Sequence, residues 1–331
     1  MRVCRKLELS SIACAVTALL TTAACAQDSA ADYPSRNITI VVPYPPGGAP
    51  DVIVRIIGQP LSEILGKPIV VENRPGASTT IAAGSVARAT PDGYTLLATD
   101  IAQTVAPSTI AALKFDPLKD LKPIAITAKG EFTLAISPAL PPKSMKELVD
   151  YSKQNPEAIK AGHSGVGTPP HLFALSMIQA TEMRALLVPY RGIALAIADV
   201  VAGHIQMTAS VPGATAPLAR DGKLRVLAVT SEQRLASLPD TPTVKELGLA
   251  PKGFDQGNWF GLTAPAGTPD AIIAKLNAAV NKAIVNAEAK EKLAKLDVRV
   301  VGGTPEALGQ LMAQQVVSWR ELLTGAGIKP E

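Results

Sequence analysis

Beyond residue 25 this chain contains no cysteine, because Cys4, Cys14 and Cys25 all fall in its first stretch. A disulfide framework, a thiolate zinc site and a cysteine nucleophile are therefore excluded from everything downstream. Histidine is almost as scarce: His163, His171 and His204 lack the H-E-x-x-H spacing of a metal-binding helix, so no metal site is expected. A strong charge of either sign is missing too, the formal net charge being +4, which gives no reason to expect a nucleic-acid partner. Long apolar runs are also absent past the N-terminus. The longest uncharged stretch there, Val200 to Ala219, is broken by Gly203, His204, Gln206, Pro212, Gly213 and Pro217, and cannot serve as a transmembrane helix.

The N-terminus itself has a clear order. Arg2, Arg5 and Lys6 precede an uncharged stretch from Leu9 to Gln27, which ends in Ala24-Cys25-Ala26. Positive charge, short apolar centre and A-x-A site make residues 1–26 a secretory signal peptide, with cleavage expected after Ala26 and a mature chain beginning at Gln27. Thr22-Ala23-Ala24-Cys25 loosely resembles a lipoprotein site, the weaker reading because Thr stands where a bulky aliphatic residue is usual. Removal of the leader leaves about 305 residues with a net charge of about +2, enough for two domains.

Downstream, β-branched runs alternate with helical patterns, which predicts α/β layers built on mainly parallel sheets. Strands are expected at Ile38 to Val42, Pro68 to Glu72 and Tyr94 to Ala98, with a helix from Asp51 to Leu65. The same alternation restarts near Phe132. Strands are expected at Phe132 to Ile136, Ile159 to Ala161, Ala185 to Val188, Ile205 to Ala209 and Leu224 to Val229, and Ser144 with Glu147 reads as a capping box. A last strand, Trp259 to Ala264, precedes two helices that open behind Thr268-Pro269 and Thr304-Pro305.

Between the first strand and the first helix lies Pro43-Tyr44-Pro45-Pro46-Gly47-Gly48. A loop in this position carries the free amides of a helix N-terminus to the carboxyl edge of a sheet, where an anion meets donors and the positive end of the helix dipole. Gly47 and Gly48 allow backbone to approach a ligand, and Asp51 is expected to be the N-cap; a rigid turn without ligand is the other reading. The device recurs at Asn73 to Ser78, at Gly162 to Thr168 and at Pro189-Tyr190-Arg191-Gly192. Sharper signatures fail. Gly162-His163-Ser164-Gly165 breaks the nucleophile elbow at Val166, Pro170 occupies the third glycine of a dinucleotide fingerprint, and Thr168 stands where a phosphate loop needs Lys. No cofactor is expected. His171 is a candidate ligand donor or a loop anchor, and Arg74 and Arg191 are candidates for pairing with an acidic solute or for ordinary solvation.

Seven segments in order then carry a resemblance: Ile40 to Gly48, Asn73 to Ala77, Pro91 to Leu97, Gly165 to Thr168 with His171-Leu172, Val188 to Gly192, Gly261 to Pro269 and Ala326 to Pro330. The chain resembles the Bug family, the extracytoplasmic solute receptors of tripartite tricarboxylate transporters. The resemblance implies a two-domain periplasmic binding protein of type II fold with a ligand cleft between the domains. It implies residues 34–130 as the first domain, 131–254 as the second and 255–331 as a return to the first. It also implies a periplasmic, monomeric receptor without enzymatic activity, with a small organic acid as ligand and the membrane permease subunits of a tripartite transporter as partners. The contacts it implies are Tyr44, Gly47, Gly48, Asp51, Ala77, Ser78 and Thr99 from the first domain, and Ser164, Gly167, Thr168, His171 and Tyr190 from the second. Ser78-Thr79-Thr80-Ile81 replaces the glycine and Asn usual there, His163 replaces a small residue, and Asp100 replaces a small polar one. An unpaired Asp100 carboxylate facing an anion is costly, so either it points away or the ligand carries a donor. An exported enzyme using Ser164 and His171, and a receptor serving a sensor protein, remain as rival readings.

Overall fold

The computed structural model describes residues 32–254 and 257–330; the leader, its cleavage after Ala26 and Cys25 lie outside the described residues. Two sheets hold the chain. The first contains β1 (Ile38–Val42), β2 (Ile69–Asn73), β3 (Thr95–Asp100), β4 (Leu121–Gly130), β10 (Asn258–Pro265) and β11 (Val298–Val300), in the order β11-β4-β10-β3-β1-β2. The second contains β5 (Thr133–Ile136), β6 (Lys160–His163), β7 (Leu186–Pro189), β8 (Met207–Ser210) and β9 (Arg225–Val229), in the order β7-β6-β8-β5-β9. Helices pack on both, giving the two-domain type II arrangement.

The sheets are mixed where mainly parallel ones were expected. Strands β1, β2 and β3 run parallel, but β10 is antiparallel to β3 and β4, and β11 is antiparallel to β4. In the second sheet β6 is parallel to β7 and β8, while β5 is antiparallel to β8 and β9. Local alternation of strand and helix reveals only neighbours joined by crossovers. It does not reveal the placement of β10, which inserts between β3 and β4 from more than a hundred residues away. Strand β4 escaped sequence reading because Lys122, Pro123 and Lys129 interrupt its apolar run, and β11 because it has three residues.

The parallel halves position the site. Strand β1 leads into α1 (Ala49–Leu65), β2 into a 3-10 turn (Ala77–Thr79) and α2 (Thr80–Ala87), and β3 into α3 (Ile101–Thr109). Since the three strands are parallel, these helices all begin at one edge of the first sheet. Strands β6, β7 and β8 likewise lead into α5 (Pro169–Thr181), α6 (Ile193–Ala202) and α7 (Pro212–Arg220) at one edge of the second. The preceding helix, α4 (Met145–Gln154), is capped by Ser144, whose hydroxyl accepts from the Glu147 amide at 3.2 Å. The Glu147 carboxylate reaches one residue further than a capping box requires, accepting from the Lys143 amide at 2.8 Å.

After β10 come α8 (Asp270–Ile284), α9 (Ala287–Ala294) and, behind β11, α10 (Pro305–Gly325). Helix α10 joins the two halves. An uninterrupted apolar cluster runs from Ile101 and Val105 through Phe132, Phe173 and Phe254 to Trp319 and Leu322. The Trp319 ring meets Phe254 edge-on at 5.3 Å, and its Nε1 donates to Thr104 Oγ1 at 3.1 Å. Gly253 is fixed by this ring: its φ is +80°, and a Cβ there would lie 2.2 Å from Trp319 carbons. Among the described residues no helix is long and apolar enough to cross a membrane.

Candidate functional site

The loop after β1 is anchored by a carboxylate. Asp51, expected as the N-cap of α1, sits inside the first turn instead, and Gly48 holds the cap position without a side-chain bond. With Ala49 and Pro50 already helical, Asp51 is free to turn back under the loop. Its Oδ2 accepts from the Gly47 amide at 2.9 Å, and its Oδ1 accepts from Asn73 Nδ2 at 2.8 Å and Arg55 Nε at 3.0 Å. Burial alone would raise this carboxyl, but Arg55, the Gly47 amide and Asn73 together hold it below the usual range. Asp51 thus shapes the glycine loop, and its oxygens are filled by the protein. The amide end of α1 is left without a side-chain cap, which suits an anion.

Asp100 does not stand unpaired in a cleft. It is buried and is the N-cap of α3, accepting from the Ala102 amide at 2.9 Å while its own amide donates to Gln103 Oε1 at 2.7 Å. Its other oxygen accepts from the Tyr44 hydroxyl at 2.6 Å, so that the Tyr44 proton is committed. Gln103 extends the network, accepting from Thr99 Oγ1 at 3.1 Å and donating to Thr79 Oγ1 at 3.0 Å. Thr79 closes a left-handed turn in which Ala77, Ser78 and Thr79 have φ of 44°, 48° and 78°. Each such residue without glycine costs on the order of 1 kcal/mol. The Gln103 bond helps to hold a turn whose concave backbone is of the kind that receives anions.

The second edge is built differently. Ser164 Oγ donates to Thr168 Oγ1 at 3.1 Å, and Thr168 Oγ1 donates to the Gly165 carbonyl at 2.7 Å. His163 and His171 lie ring against ring, 4.5 Å apart and buried. Each accepts at Nδ1 from a loop amide, Gly165 at 3.2 Å and Gly167 at 3.3 Å, so both are neutral rings that fasten the loop. Tyr190 is tied to β6 through its amide to the His163 carbonyl at 2.8 Å, and its hydroxyl donates to Asp199 Oδ2 at 2.7 Å. Asp199 also meets His204 Nδ1 at 3.2 Å. Helices α5, α6 and α7 all begin without a side-chain cap bond.

The two edges meet. A Cβ on Gly167 would come within 3.3 Å of Thr109 and 3.4 Å of Val105, so the second loop lies against the last turns of α3. A cavity of about 700 Å³ opens beside this contact, reaching Ala77, Ser78, Thr109, Ile110, Val166 and the C-terminal Lys329. Of the expected contacts it touches Ala77 and Ser78. Tyr44, Gly47, Gly48, Asp51 and Thr99 cluster with these two at the first edge, and Ser164, Gly167, Thr168, His171 and Tyr190 at the second. Arg74 donates to Glu72 Oε2 at 3.0 Å and to Ser85 Oγ at 3.0 Å, an internal pairing that neither solvation nor an acidic solute had suggested. Sequence reading missed Asn73, Thr79 and Gln103; the Asp100-x-x-Gln103 spacing is the one local signal that pointed to them. Ser164 bonds Thr168, and His171 Nδ1 is occupied by an amide, so the nucleophile and base of an enzyme are not assembled.

Burial gives the site opposing acid responses. It depresses His163, and it lowers His171 to about 3, with neighbouring His163 adding to the effect. Between pH 6.5 and 3 the unfolded chain therefore binds at His171 a proton that the fold refuses, and stability falls by up to about 1.4 kcal/mol per pH unit through this ring, with His163 acting in the same direction. Asp100 is pushed up to about 6 by burial, so its share of stability is full below 3.8 and is lost as pH rises through 6. We expect His171→Asn, which keeps an acceptor for the Gly167 amide, to flatten the acid loss in urea unfolding measured stepwise from pH 7 to 4. A variant curve parallel to that of the natural protein contradicts the buried neutral ring.

Residues 53–328 match the family model described as "Tripartite tricarboxylate transporter family receptor". The periplasmic binding protein BugD is 33% identical, with TM-score 0.79, over 90% of this chain and 100% of that one. MatC from Rhodopseudomonas palustris with bound malate is 32% identical, with TM-score 0.77, over 88% of this chain and 100% of that one. The R. palustris protein Rpa4515 with adipate is 31% identical, with TM-score 0.81, over 91% of this chain and 100% of that one.

Proposed function

The chain belongs to the family of tripartite tricarboxylate transporter receptors, and from that premise we propose that it captures a small organic carboxylate between its two halves and delivers the closed form to a membrane permease. It is a solute receptor of the periplasm and not an enzyme. One observation carries the ligand class: helices without side-chain caps begin at the carboxyl edges of the parallel strands in both sheets, α1 on the first and α5, α6 and α7 on the second. Their dipoles, and the first-turn amides other than those of Pro50, Pro169, Pro170 and Pro212, which have no N–H, suit an anion and need no basic side chain. Malate and adipate in the related structures support a carboxylate cargo. Closure gains free energy only from bonds that the cargo makes better when both edges reach it. Export by the leader, cleavage after Ala26 and action as a monomer complete the proposal.

Isothermal titration of the purified mature chain against mono-, di- and aromatic carboxylates tests it. Saturable heat is expected with at least one member, together with a rise in melting temperature that grows with ligand concentration. A folded protein that ignores the whole panel overturns the carboxylate assignment.

A further inference from the structure

The first edge is electrically divided. Helix α1 begins with no side-chain cap, whereas α3, beside it, begins with the buried carboxylate of Asp100. Among the described residues no basic side chain pairs with Asp100; its oxygens are met by the Tyr44 hydroxyl at 2.6 Å and the Ala102 amide at 2.9 Å. The α3 terminus is thus already satisfied by a negative group and repels a second one. Tyr44 carries this polarity outward. The residue as a whole is partly buried and its proton is spent on Asp100, so the free lone pair of its hydroxyl can only accept. A carboxylate seated on the amides after Gly48 has this acceptor a few residues away along the same loop.

Resting on the receptor reading above, we propose that the Tyr44–Asp100 pair selects cargo: a carboxylate bearing a hydrogen-bond donor, hydroxyl or ammonium, which is accepted by Tyr44 Oη while the carboxylate occupies the α1 terminus. Tyr44 contacts the cargo, and Asp100 is a positioning residue that fixes the direction of the tyrosine proton. Such a site discriminates strongly, because a ligand without the donor leaves an acceptor and a nearby charge unanswered on closure.

The test is titration with matched sets of three- and four-carbon acids: the 2-hydroxy acid, the 2-amino acid and the unsubstituted parent, at fixed pH and salt. At least one donor-bearing acid should bind at least about tenfold tighter than its parent. Asp100→Asn keeps an N-cap and an acceptor for Tyr44 but removes the charge, so it should narrow that ratio by improving the parent. Tyr44→Phe, which keeps the ring, should weaken the donor-bearing acid to the level of its parent and leave the parent within a few-fold. Parents that bind as well as their substituted acids, or a ratio unmoved in both variants, overturn the selection and leave the receptor reading intact. No binding by any acid, substituted or plain, removes both.

Discussion

Gly48→Val abolishes carboxylate binding by the mature protein, a loss of at least about a hundredfold, and leaves the melting temperature of the empty protein within a degree or two. The asymmetry follows from geometry. Gly48 has φ −70° and ψ 159°, a conformation open to any residue, and a Cβ there meets its nearest neighbour, the Pro45 carbonyl, at 3.5 Å, an ordinary contact. Nothing in the backbone conformation, and no contact of a Cβ, therefore resists a side chain at this position in the empty fold. The added methyls instead stand over the amide end of α1, and a hundredfold loss corresponds to about 2.7 kcal/mol. Gly47 is the contrasting control: its φ is +86°, so a side chain there strains the loop whether or not ligand is present. Differential scanning fluorimetry and titration on the same preparation separate the cases. A large fall in empty-state stability for Gly48→Val would show that the loop is a structural turn and not a ligand seat.

Trp319→Ala is expected to cost about 3–5 kcal/mol, the largest stability effect of any single change proposed for this chain. Its ring is fully buried, lies against Phe254 and bonds Thr104 on α3. Truncation removes the part of the cluster through which α10 reaches both halves, and it leaves the Thr104 hydroxyl and Gln315 with one donor fewer. Gly253, backed against this ring by its positive φ, cannot fill the hole without moving backbone. Urea unfolding followed by far-ultraviolet circular dichroism measures the loss. A change under about 1 kcal/mol would mean that the halves are held together elsewhere.

Much of the local structure was legible in the sequence. Ile38–Val42 was readable as a strand because a continuous β-branched run is what a sheet covered on both faces requires, and Ser144 announced its helix by the chemistry of its hydroxyl. The loops of the candidate site were legible for the same reason: Gly47, Gly48, Gly165 and Gly167 occur where strand gives way to helix. Long-range pairing was not legible. Tyr44 and Asp100 are 56 positions apart, and no local rule brings that hydroxyl to that carboxylate. Asp51 was misassigned because the helix begins two residues earlier, at Ala49 and Pro50, which turns a cap into a loop anchor. The left-handed run of Ala77, Ser78 and Thr79 contradicts local preference, and the Gln103 network that holds it becomes visible only once α3 is in place.

On the proposed reading, backbone amides at the two sheet edges hold one carboxylate between them. Amide chemical-shift mapping of the isotopically labelled mature protein, titrated with the tightest carboxylate from the panel, tests it most directly. Saturating shifts that share one dissociation constant are expected at Ala49, Ser78, Ser164 and Val166. Shifts confined to one edge, or centred instead on the 560 Å³ cavity beside Glu131 and Ser231, would contradict it.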